Sequence, residues 1–86
     1  MSYILAVFRN RTASMSFANH LRKLNVGCDV ISTPKELGST CSVSVKFNPA
    51  NLQQAKYVLN GGRFSTFSNF YKVVNIGHRR VFEVER

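Results

Sequence analysis

The sequence predicts an α+β fold, a ferredoxin-like βαββαβ sandwich with an extra C-terminal strand. Three observations predict it. Tyr3–Phe8 and Val43–Phe47 have strand character, Ala13, Phe17 and Leu21 recur at helical spacing between them, and Asn48-Pro49 and Gly61-Gly62 bound a second helix. At 86 residues the chain makes a single domain, 1–86, with a modest core and little room for a large enclosed active site.

Each element has a local cause. Tyr3–Phe8 is a short apolar run ended by the polar cluster Arg9-Asn10-Arg11-Thr12, as expected of a buried strand. Asn10 or Thr12 can cap the helix that follows, whose apolar face of Ala13, Phe17, Leu21 and Leu24 carries it to about Asn25. Val26–Thr33 is rich in Val and Ile and stops at Thr33-Pro34, which predicts a second strand. In the third strand Val43, Val45 and Phe47 share one face while Ser42, Ser44 and Lys46 form the polar one.

Asn48 caps and Pro49 starts the second helix, whose stripe is Leu52, Ala55 and Leu59 and whose end is Gly61-Gly62. Phe70–Ile76 and Arg79–Glu85 then flank Gly77-His78 as a terminal hairpin. That hairpin fits intramolecular pairing and the edge of a homodimer equally well.

Twelve Lys and Arg against four Asp and Glu give a formal charge of +8, which predicts attraction to anions. The cations are scattered, so the fold has to assemble any positive patch. The opening residues carry no signal-peptide pattern, which predicts a cytoplasmic, reducing setting in which Cys28 and Cys41 stay thiols. The longest apolar stretch, Tyr3–Phe8, is far too short to cross a membrane.

Cys41 is the leading candidate for chemistry because it stands where the polar loop Ser32–Thr40 enters a strand. The predicted topology gathers the end of the first strand, the start of the first helix, this loop and Asn60–Asn69 at one edge. Arg9, Arg11, Lys35 and Arg63 would surround the free N–H groups opening that helix, forming an anion site that lowers the thiol pKa of Cys41. The parity of Cys41 with Val43 and Val45 supports a purely structural role instead.

Cys28, inside the second strand, reads as core. His20 and His78 fall at no metal-ligand spacing with either cysteine, so no metal site is expected. No cofactor motif is present: Gly61-Gly62 lacks the Lys-Ser/Thr of a nucleotide cradle. The carboxylates are too few for conventional acid/base catalysis, which argues against a turnover enzyme. Phe64, Phe67, Phe70 and Tyr71 lie among Arg63 and Lys72 and could stack nucleic acid, although core or dimer roles fit them better. The RNA-recognition positions of the first and third strands carry Ile, Leu, Ala, Ser and Val in place of aromatics.

The strand ending in Phe8-Arg9, the helix with Ala13 and Leu21, and above all Thr33-Pro34-Lys35-Glu36-Leu37-Gly38-Ser39-Thr40-Cys41 before Val43–Phe47 resemble a selenium/sulfur carrier protein-like family of small bacterial domains. The resemblance spans about Tyr3–Leu59. It implies that Cys41 carries a persulfide or selenium adduct and that a sulfur/selenium transfer protein is the partner. Ser42 stands where the pattern leads one to expect glycine, and the Cys-Pro-x-Pro motif of other sulfur carriers is missing. The alternative from a different class is a nonenzymatic basic module that binds nucleic acid or an acidic protein, with Cys41 structural. A third is a homodimer acting through the polar sheet face of Ser42, Ser44 and Lys46.

Overall fold

The computed structural model describes residues 2–37, 43–62, 64 and 66–85. Strand β1 (Ser2–Phe8) is followed by helix α1 (Arg11–Lys23), strand β2 (Cys28–Ser32), a 3-10 turn (Lys35–Leu37) and strand β3 (Val43–Phe47). Another 3-10 turn (Pro49–Asn51) opens helix α2 (Leu52–Gly61), and strands β4 (Phe67–Ile76) and β5 (Arg79–Glu85) complete the chain. The five strands form one antiparallel sheet in the order β2-β3-β1-β4-β5. Both helices pack on the same face of it.

β1 lies at the centre, paired with β3 through Ile4↔Phe47 and with β4 through Ala6↔Phe70. Its alternate residues serve two cores, which is why its run is apolar throughout. Ile4, Ala6 and Phe8 join the helix-side cluster, whereas Leu5 and Val7 join a cluster on the other face.

The Asn10 side-chain oxygen accepts from the Thr12 N–H at 2.7 Å and so caps α1. At the other end Asn25 adopts φ 62°, and the Val26 N–H donates to the Leu21 carbonyl while the Asn25 N–H donates to that of Arg22. This is a Schellman ending with asparagine in the left-handed position. It stops the helix at Lys23, short of the expected Asn25, and leaves Leu24 46% exposed instead of on the packed face. The expected start of the second helix falls instead on the 3-10 turn: the Asn48 side chain accepts from the Ala50 N–H and Pro49 is its first residue, while α2 begins three residues later at Leu52 with no side-chain cap from Asn51.

Phe8 is wholly buried among Phe17, Phe64 and Phe67, with ring centroids at 5.2, 5.8 and 5.4 Å. The tilted and edge-on geometries are those aromatic rings prefer. Gly62 permits this cluster, since a Cβ there would fall on the Phe64 ring. Phe64, Phe67 and Phe70 are therefore core residues rather than a stacking surface.

The opposite face is also covered. Leu5, Val7 and Val73 are buried there with Tyr3, Ile31, Leu37, Tyr71 and Phe82 around them. Leu37 comes from the 3-10 turn, and Glu36 of the same turn meets Arg80 of β5 at 2.8 Å. The expected polar face of β3 is thus corrected. Ser44 is fully buried and shares a 2.6 Å hydrogen bond with Thr33, and the Lys46 ammonium lies 4.5 Å from the centre of the Tyr3 ring. The cause is the β2–β3 connection, whose Thr33 supplies the polar partner a buried serine requires.

Phe8→Ala should cost about 3–5 kcal/mol of stability in urea titration, because the cavity opens where both helices and the sheet meet. Tyr57→Ala, at a position 74% exposed, should stay within about 0.5 kcal/mol of the parent chain.

Candidate functional site

Four parts of the backbone converge where α1 opens. The Arg9 N–H, just past β1, donates to the Thr66 carbonyl at 2.9 Å, which ties the entry of β4 to the exit of β1. The Ser14 hydroxyl, in the first turn of α1, donates to the Val43 carbonyl at 2.8 Å and fixes the start of β3 beside that turn. Ser32 pairs with Val43, so the end of β2 is held there too. The hydroxyl of Thr66 is buried at this end with no hydrogen-bond partner among the described residues.

Arg9 and Arg11 stand exposed at this opening of α1. Lys35 is exposed as well, but its 3-10 turn lies over the open face of the sheet, anchored by Leu37 on the second cluster and by Glu36 on Arg80. The Glu36 carboxyl is held below the usual carboxylate range, chiefly by its own backbone N–H and further by Arg80. Cys41 and Arg63 lie outside the described residues. The structure therefore brings Arg9 and Arg11 together and places Lys35 on the connection leading toward Cys41.

Cys28 is half-buried against the helix-side core, with its sulfur 3.6 Å from the Ala18 carbonyl. Burial pushes its thiol up, outweighing the attraction of Arg22. Low thiolate content suits a packing residue and not a nucleophile. Among the described residues no group of three or more His, Cys, Asp and Glu gathers to hold a metal ion.

A separate feature emerges from the two helices together. α1 and α2 carry Arg11, His20, Arg22, Lys23 and Lys56 and not one carboxylate, while the acids sit at Asp29, Glu36, Glu83 and Glu85. Between the C-terminal halves of the helices is an open, mainly apolar cleft of about 570 Å³ lined by His20, Lys23, Leu24, Tyr57 and Val58 among others. The acid-free sequences of both helices signalled this layer, but only their packing on one face unites it.

A family model described as Putative Se/S carrier protein-like matches residues 3–71, which takes in every element from β1 into β4. The chain belongs to this family. The name suggests a role in selenium or sulfur transfer. No curated protein and no solved structure matches the chain. Within this Se/S carrier-like chain no described helix is long and apolar enough to cross a membrane.

The position of Cys28 yields a direct expectation. In a Cys41→Ser variant, Cys28 should alkylate more slowly at neutral pH than a free cysteine, and its rate should rise only above the ordinary thiol range. Iodoacetamide labelling followed by mass across a pH series measures this, and fast reaction at neutral pH would contradict the burial argument.

Proposed function

We propose that this protein is a thiol-bearing carrier of sulfur or selenium and not a turnover enzyme. Cys41 holds the transferred atom, and Arg9, Arg11, Lys35 and Arg63 favour its anionic adduct. The observation that carries this reading is membership of the Se/S carrier-like family over residues 3–71. It is supported by the meeting of backbone segments at the opening of α1, where free N–H groups and two arginines favour negative charge. We read β1 to β4 as the ferredoxin-like arrangement, on the support of their order β2-β3-β1-β4.

In this reading the Cys41 thiolate attacks the outer sulfur of a donor persulfide. The new S–S bond forms as the donor thiolate leaves, so sulfur moves with no net oxidation. The partner is a sulfur/selenium transfer protein, the setting is cytoplasmic, and no resident cofactor takes part.

A second reading, a nonenzymatic basic module for nucleic acid or an acidic protein, draws on the carboxylate-free helical layer. Two measurements separate them. In a Cys28→Ser background, alkylation of Cys41 against pH should show a midpoint below about 7.5 if the carrier reading holds. No midpoint below about 9 would mark Cys41 as structural. For the second reading, binding of a fluorescent single-stranded oligonucleotide should weaken steeply with salt, survive Cys41→Ser, and fall in a variant carrying Arg22→Glu and Lys23→Glu.

A further inference from the structure

β5 forms one edge of the sheet, with β4 on one side and no described strand on the other. The turn at Gly77-His78 makes Ile76 and Arg79 its first cross-strand pair, and Gly77 has the positive φ, 61°, that type II′ hairpin turns place at their first central residue. In such a hairpin the first pair exchanges both backbone hydrogen bonds, and the pattern alternates from there. Arg79, Val81, Glu83 and Glu85 thus direct their backbone groups to β4, and Arg80, Phe82 and Val84 direct theirs outward. This outward row is a template for another strand.

The strand reads Arg79-Arg80-Val81-Phe82-Glu83-Val84-Glu85, with cations at its start and carboxylates at its end. Laid antiparallel on a copy of itself about an axis at Phe82, it sets Arg79 opposite Glu85 of the second copy on one face. On the other face Arg80 meets Val84 and Phe82 meets Phe82. The residues that meet as hydrogen-bonded pairs in this register are Arg80, Phe82 and Val84, the same three whose backbone groups point outward. Moving the axis to Glu83 would set two carboxylates face to face, which is unfavourable.

Two further observations favour a second copy as the occupant. Arg79 and Glu85 have no ion-pair partner among the described residues, whereas Arg80 is already held by Glu36. Val84 is 46% exposed beside Phe82, which packs on the open-face core. Pairing two edges would continue that core from one copy into the next.

We propose that β5 pairs antiparallel with β5 of a second copy about a two-fold axis at Phe82, forming a homodimer with one continuous sheet. The strand lies beyond residues 3–71, so the pairing does not rest on the carrier reading.

Sedimentation equilibrium of the full chain under reducing conditions tests this over a concentration series. The expected result is association toward twice the 9.7 kDa chain mass. Arg79→Glu and Glu85→Arg, each checked for native circular dichroism, should weaken association roughly tenfold because each turns two attractive cross-strand pairs repulsive. The variant carrying both changes restores opposite charges and should regain the parental affinity. A chain monomeric throughout, a dimer indifferent to both single changes, or a double variant that fails to recover would each overturn the proposal.

Discussion

The burial of Phe8 against Phe17, Phe64 and Phe67 is the contact on which the rest of the molecule depends. It joins the end of the central strand, the first half of α1 and the segment entering β4 in one aromatic cluster. The hydrogen bonds that follow, from Arg9 to Thr66 and from Ser14 to Val43, set the backbone around the opening of α1. A glycine at position 62 is part of the same constraint, because Phe64 occupies the space its side chain would need.

The second constraint is that the sheet buries both faces. Helices cover one, while the β2–β3 connection reaches over part of the other, with Leu37 on the apolar cluster and Glu36 reaching Arg80. The connection that carries Cys41 in sequence is thereby fastened to the sheet before it reaches that residue. Phe70 of β4 is buried in the helix-side core and so offers no face on which a base can stack.

Charge and chemistry are separated across the fold. The helical layer holds cations without carboxylates, whereas all four acids lie on β2, the 3-10 turn and β5. An acidic partner or a polyanion would meet the helical layer first, since opposite surface charge steers association. In the proposed pairing, Glu85 of β5 would instead face Arg79 of the same strand in a second copy. One chain can thus present a basic surface outward and still carry a self-complementary edge.

Much of this was legible in local residues. Asn10, Asn48 and Pro49 act at the helix starts through hydrogen bonds made within a few residues, and Gly77 supplies a positive φ at the hairpin turn. The apolar run of β1 announced a buried strand because both its faces are covered, and the sheet order then places it at the centre. The end of α1 was less legible, since Asn25 in the left-handed position depends on Val26 packing back on Leu21. Ser44 was misjudged because alternation tells which residues share a face and not what covers it. The elements and their caps follow from near neighbours along the chain, and the net positive charge from composition. It took contacts across the fold to have Thr33 satisfy a buried Ser44, to anchor the turn that bears Lys35 through Leu37 and Glu36, and to leave β5 at an edge. Those outcomes depend on contacts between residues distant along the chain, whose pairing no local pattern encodes.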